Sequence, residues 1–448
     1  MNRFRSHHDE RANTKKSEIS AHFLFFVENI EMSLHSVGAS PNYVLPASAS
    51  DVPQAWKSNA SAKPIECSLQ TTNVPALSGN QAASGTTNIQ LPLGSGSGIM
   101  LNPYLRFDVS VALSGAATVA FRGPNALASA CVNTYTTYIN SVQCDQIANA
   151  GEVYEQLLSH GSSQSFMERD AAIMMSAGQT YTAAGAGALA LGTQVIPLLG
   201  CLGSQQGFPA YLCSGTLQIS LQWNSIVRAL RTTVEDLALI TGYTISNVQL
   251  VYDKISPESA FVDAMKREMD MGQKYVLSYL NIENAAFSVA QATASIQYGL
   301  NVSSLRAVVA SQVLAANEIL SASTNPSTAN TLSNFAVSLD GRLINNTTFT
   351  VASGGDAVIF AELNKCFSRL FDASVSDVAT AANFATDFFA VGVSACRVNE
   401  SLAFSGSKAT QVSIQYNRSA GGAATLYLSF LSDRQVLIGA AGDITLVR

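Results

Sequence analysis

The sequence predicts an all-β chain: two consecutive eight-stranded β-sandwiches with short helical insertions, an extended N-terminal arm and a connecting helix. Three observations predict it. Short apolar runs alternate with Gly, Asn, Ser and Pro punctuation from Ile65 to the end, which is the texture of sandwiches rather than of βαβ units. That texture is interrupted once near mid-chain by a charged helical stretch after Tyr252. The parts on either side then repeat one layout of strands, helices and strands. The boundaries follow: an arm over 1–64, a first sandwich over 65–255, a connecting helix over 256–272 and a second sandwich over 273–448. The repeat is one of layout, not of residue identity.

At 448 residues the chain is long enough for one large core or two ordinary ones. Charged residues make up 12%, about half the usual share. Ala, Ser, Thr, Asn and Gln take their place, so the surface suits subunits that meet other subunits. A net charge of −6 with no basic domain gives no case for groove-type nucleic-acid binding. The seven cysteines (Cys67, Cys131, Cys144, Cys201, Cys213, Cys366, Cys396) form no C-x-x-C pair and no framework. They are expected as reduced, mostly buried thiols of a chain folded in a reducing compartment. Cys131–Cys144 and Cys201–Cys213 are the alternatives for a bridge.

No membrane helix or secretory signal is expected. FLFFV (Phe23 to Val27) is short and flanked by His22 and Glu28, and Ala183 to Gly203 is interrupted by Pro197 and repeated Gly. The latter is expected as a loop leading into a strand.

Residues 1–18 are mildly basic, 19–34 suit a short helix, and Ser36 to Lys63 an extended arm. This stretch is an arm that ties subunits or faces an interior; the alternatives are a mobile terminus or an extension upstream of a start at Met32. Strands are expected at NIQLPL, LRFDVSVAL, ATVAF, TYTTYINSVQ and TLQISLQW, with helices at Ala150 to Leu158, Ser165 to Met175 and Thr232 to Ile240. Thr233 and Asp236 have capping spacing. Tyr243 to Tyr252 alternates as a half-buried strand does, and the slip at Asn247–Val248 predicts a bulge. Ser256 and Pro257 are placed as N-cap and first helical residue, and Gly272 as the stop. Phe261, Val262, Met265 and Met269 give that helix an apolar face. It is either one surface helix of a large β domain or the connector between two modules.

In the second half, strands are expected at KYVLSYLNIE, FSVAQATASIQYGL, LRAVVASQVL, NFAVSLDGRLI, TFTVASG, DFFAVGVSA, ATQVSIQY, ATLYLSFLSDRQVLIG and ITLVR. A helix is expected from Asp356 to Phe371.

Chemistry is harder to find. Four of five histidines lie within the first 35 residues, which leaves His160 alone in the folded body, in an expected loop. A His-rich metal site and a Ser-His-Asp triad both lack their parts. Gly94 to Gly98 has no helix or acidic partner to make a dinucleotide fingerprint, and Gly406-Ser-Lys408 lacks P-loop spacing. The acids from Asp372 to Asp377 are expected as solvated surface. Sequons at Asn59, Asn301, Asn345, Asn346, Asn399 and Asn417 are near chance in so Asn-, Ser- and Thr-rich a chain. Tyr135, Tyr138, Tyr211, Trp223, Phe388, Phe389 and Tyr427 are expected in strands, as core or subunit contact. No catalytic, cofactor-binding or metal residue is assigned, and no enzyme is expected.

Four stretches carry a resemblance: Asn125 to Gly178, Tyr243 to Met271, Ser303 to Gln312 (SSLRAVVASQ), and Arg369 to Tyr416, which ends in DFFAVGVSACRVNESLAFSGSKATQVSIQY. With their spacing, residues 65–448 resemble the double jelly-roll major capsid proteins of icosahedral DNA viruses, in the adenovirus-like, virophage and Polinton-like lineage. That resemblance implies a structural protein of the virion, made inside the host cell. Three chains would form a trimer, a capsomer with six similar wedges, which tiles a shell beside neighbouring capsomers, penton and minor capsid proteins. The loops Ala183–Ser214 and Leu320–Asn334 would form towers or trimer contacts. The arm would face inward, toward a membrane, a minor protein or the genome. No small-molecule substrate is implied. The other readings are a spike, adhesin or lectin-like binding protein and a single jelly roll with an unrelated second domain. The last differs in one respect: its halves would not match.

Overall fold

A computed structural model describes residues 67–120, 127–161, 180–203, 207–230, 232–314, 332–344, 356–367, 389–396, 406–419 and 422–447. The expected arm, the helices at 19–34 and 165–175, the strand at 348–354, the acidic run at 372–377 and Phe388 lie outside them. The first half contains strands β1 (Cys67–Pro75), β2 (Gln81–Ala82), β3 (Thr86–Pro92), β4 (Ile99–Leu113), β5 (Ala117–Ala120), β6 (Val132–Ile139), β7 (Val142–Ile147), β8 (Thr180–Ala183), β9 (Gly187–Pro197), β10 (Thr216–Trp223) and β11 (Ile240–Pro257). Its helices are α1 (Leu127–Cys131), α2 (Ala150–Gly161), α3 (Ile226–Leu230) and α4 (Val234–Leu239). Helix α5 (Ser259–Asp270) leads to β12 (Tyr275–Val289), β13 (Thr293–Leu314), β14 (Leu332–Leu339), β15 (Arg342–Leu343), α6 (Asp356–Cys366), β16 (Val391–Ser394), β17 (Ser407–Arg418), β18 (Ala424–Ile438) and β19 (Ile444–Val447).

The first half forms two antiparallel sheets, ordered β1-β11-β4-β9 and β3-β10-β6-β7, with the small pair β5-β8 beside them. Lettering the eight sandwich strands B to I in chain order gives B-I-D-G and C-H-E-F, the jelly-roll arrangement. In the second half, one hydrogen-bonded path runs β12-β18-β13-β17-β14-β15, with β16 on β13 and β19 on β18. Its register resolves the same two rows. The first part of β13 pairs with β17, and the last part pairs with β18 on one side and β16 on the other. Leu305 is the handover, facing Ser407 of β17 and Ser432 of β18. Strands C and D are therefore one unbroken strand here, and the rows are β12-β18-β13-β16 and β13-β17-β14-β15. Both halves are jelly rolls, which excludes the reading with an unrelated second domain.

Alternation builds the cores. Along β4, Leu105, Phe107, Val109, Val111 and Leu113 are buried while Arg106 and Ala112 are exposed. Phe107 packs on Trp223 with ring centroids 5.0 Å apart, and the Trp223 indole N–H donates to Thr87 Oγ1 at 2.7 Å. In the second module Tyr298 stacks on Phe430 at 4.9 Å. Phe107 and Phe430, both fully buried, each contribute roughly 1.5–3 kcal/mol over an exposed phenylalanine. Strand β18 is buried on both faces from Leu426 to Arg434, so something besides its own partner sheet covers it.

The expected slip in β11 is a bulge: the register to β4 shifts between Ser246 and Gln249, and Asn247 has φ +52°. Thr233 caps α4, its hydroxyl accepting the Asp236 N–H at 3.0 Å. Two expectations are corrected. Ser256 and Pro257 do not start a helix; they end β11, opposite Ser68 and Cys67, and Glu258 takes the cap position. Proline is tolerated there because the last strand residue needs no ladder N–H. Ala183 to Gly203 is not a loop, since β9 pairs with β4 along Gly187–Pro197 as a sheet-edge strand. Its Ala-Gly composition hides it from a reading based on β-branched residues. The cysteines follow the expected reading rather than the alternative bridges: all seven are free, and Cys131, Cys144, Cys201 and Cys213 are buried.

Candidate functional site

Among the described residues, no group of three or more His, Cys, Asp or Glu side chains could hold a metal, and no helix is long and apolar enough to cross a membrane. His160 is not in a loop. It sits in the last turn of α2, 4% exposed, with its ring stacked 6.2 Å from Phe367. Residues 94–98 connect β3 to β4, and Gly406 N donates to Ser304 Oγ at 3.0 Å beside the start of β17, so neither glycine stretch is a phosphate loop. Tyr135, Trp223, Phe389, Tyr211 and Tyr427 are buried. Burial pushes the Cys213 thiol up to about 12 and the Cys131 and Cys201 thiols up as well, which keeps them protonated and unreactive.

The chemistry of this molecule is instead concentrated where the modules meet. On the first module the contact is made by β7, strand F, and by α2, which follows it. On the second it is made by β12, β13 and β18, strands B, D and I. The Tyr279 hydroxyl donates to the Cys144 carbonyl at 2.8 Å, and an Arg434 N–H donates to the same oxygen at 3.2 Å. The Asn284 amide donates to the Ala148 carbonyl. Gln156 of α2 donates to Ser311 Oγ at 2.5 Å and accepts from Ser429 Oγ at 2.6 Å. Helix α2 thus seats on the D–I face and covers the second side of β18.

The seam carries buried charge. Arg434 also reaches Glu283 at 3.5 Å, and its neighbour Asp433 pairs within the second module with Arg306 at 2.7 Å. Asp145 lies behind Cys144, its Oδ2 accepting the Cys201 N–H at 2.9 Å. Burial raises its pKa, against lowering by that N–H, by Thr137 and by the Arg434 charge. Burial likewise pushes the Tyr279 phenol up.

Helix α5 clasps the two modules. It packs against the 3-10 turn Ala210–Leu212 of the first and the turn Ala440–Gly442 of the second. Tyr211 and Phe261 have ring centroids 6.4 Å apart, and Lys266 donates to Ser95 Oγ. Val262 and Met269 are buried, and Phe261 and Met265 are half-buried against the core. A Cβ on Gly442 would lie 2.3 Å from the Ser214 backbone N, so the turn fits there only as glycine.

The sequence reading found α5 and missed Tyr279, Gln156, Asn284 and Arg434. One signal was present: Asp433-Arg434 is a charged pair inside an otherwise apolar strand, and such charges need partners from elsewhere.

Comparison with protein-family models and with curated protein sequences returns no match. Solved structures do match in fold. The capsid of the virus PBCV-1 has a TM-score of 0.60 at 9% identity, covering 86% of this chain and 97% of that one. The Sputnik virophage structure has 0.56 at 11% identity, covering 85% and 88%. The Faustovirus major capsid protein has 0.52 at 10% identity, covering 86% and 91%. The chain shares with these capsid structures, across nearly their whole length, one fold: the double jelly roll.

Proposed function

We propose that this chain is the major capsid protein of an icosahedral DNA virus. One observation carries the proposal: two modules of the same strand order stand side by side in one chain, in the fold found in capsid structures. Three such chains supply six similar wedges, and six wedges make a pseudo-hexameric capsomer that tiles a closed shell. The units would be the arm (1–64), the first jelly roll (65–255), the connector (256–272) and the second jelly roll (273–448). A chain poor in charge and rich in Ser, Thr and Ala suits close-packed, partly wet subunit contacts. Function then resides in interfaces, and the chain performs no catalysis. Its partners are its own copies, neighbouring capsomers, penton and minor capsid proteins, with the arm facing an internal membrane or the genome. It folds inside the host cell, in keeping with its free thiols, and resides in the virion. Native mass measurement followed by electron microscopy of the purified protein tests this. A stable trimer of hexagonal outline is expected; a monomer that turns over a small molecule overturns it.

A further inference from the structure

The seam between the modules has a direction. Strand F and the F–G helix of the first module meet strands B, D and I of the second, and among the described hydrogen bonds across the seam none joins a surface to its own equivalent. Such a contact is heterologous, and repeating a heterologous contact generates either a ring or an open filament.

Two flanks of the chain are left over by this operation. The first is the F flank of the second module. It holds β15, the counterpart of β7, and α6, which lies in the F–G connection as α2 does. There Leu343 is 41% exposed and Val358 58% exposed. The inner side of α6 is anchored on its own module: Ile359 and Leu363 are buried, and a Cβ on Gly392 of β16 would lie 2.7 Å from Leu363. Its other side, with Val358, Glu362 and Lys365, is left half-open or open. The second leftover is the B–I–D flank of the first module. Leu69 of β1 is 70% exposed on its outward side, beside Ile255. Above them, Ser110 of β4 faces Thr244 of β11, and Asp108 faces Ser246, a row that stays half-exposed. In the second module the hydroxyls on the same strands, Ser311 and Ser429, are buried under α2. The two D–I faces are therefore built alike, with small hydroxyl residues in an outward row, and only one is covered within the chain.

We infer that β15 and α6 of one copy, through Leu343 and Val358, dock on the outward β1-β11-β4 face of a second copy's first module, around Leu69. This rests on the capsomer reading and names its subunit contact. The occupant is a second copy of this chain because the template for the contact is the chain's own seam.

The test uses the full chain and two variants. Variant one carries L343D and V358D, and variant two carries L69D; all three positions are exposed, so both are expected to keep the wild-type circular dichroism. Each alone is expected to lose the trimer and run as a monomer. Mixed, they retain one intact pair of flanks between them, so a 1:1 heterodimer is expected and no trimer. Zero-length carbodiimide cross-linking of wild-type protein made as an isotopically light and heavy mixture gives a readout free of substitutions: a mixed-isotope link from Lys365 to Asp253, which shares the outward face of β11 with Ile255, is expected. A wild-type trimer that survives both variants, or lacks that link, overturns this contact and leaves the capsomer reading standing. A monomeric wild-type protein overturns both.

Discussion

Asp145 is 1% exposed and its pKa is raised, chiefly by burial. A carboxyl whose folded pKa lies above its unfolded one binds its proton more tightly when folded. Its contribution therefore falls as pH rises from the ordinary value of 3.8 through the raised one, and stays low above it. Asp108 acts in the opposite sense. Hydrogen bonds from Asn247 and Thr193 hold its carboxyl below the ordinary value, so its contribution is present above 3.8 and fades as pH drops through the lowered one. Asp145→Asn isolates the first effect. Melting temperature against pH should fall for the wild type across the Asp145 window and be flatter there for the variant; parallel curves would show that Asp145 keeps its charge on folding. Nothing in the sequence marks this residue, because its neighbours Cys201 and Arg434 are brought to it by the fold. The same holds for His160, whose Ser/Gly context suggests a loop but whose ring is packed on Phe367.

At the scale of elements, legibility follows how local the physics is. The α4 cap and the β11 bulge were visible because each is set by residues a few positions apart. The start of α5 was misplaced because the pairing of Ser256 and Pro257 with β1, 188 and 190 residues away in the sequence, overrides a local capping pattern. The β9 strand was missed because its pairing partner, not its composition, makes it a strand. The bulge gives a quantitative prediction. Asn tolerates the left-handed conformation at 247, and a β-branched residue does not. Asn247→Val should cost about 1–2 kcal/mol more than Asn247→Gly in urea unfolding, since both lose the amide bond to Asp108 Oδ2 and only valine adds strain. Equal midpoints would mean the bulge had moved to another residue.

At the scale of the molecule, the two halves match in topology without matching in sequence, and the pattern of strand and punctuation was enough to read that. The seam between them was not readable, since its bonds join residues more than 130 positions apart, as from Tyr279 to Cys144. If folded subunits are held in a trimer, stability must depend on subunit concentration. The melting temperature is expected to rise over a hundredfold increase in protein concentration, and L69D is expected to abolish that rise. A concentration-independent melt in a wild-type protein that is trimeric by mass would indicate subunits that unfold before they part.

The unbroken β13 carries one more consequence, for what the chain can be made to display. In the first module strands C and D are separated by the Gly94–Gly98 connection, where extra residues have somewhere to go; in the second, a peptide spliced at the corresponding place would cut a strand that serves both sheets. A cargo epitope or affinity tag therefore has a home on one jelly roll and not on its twin, and a shell assembled from such chains would present it at alternate wedges only.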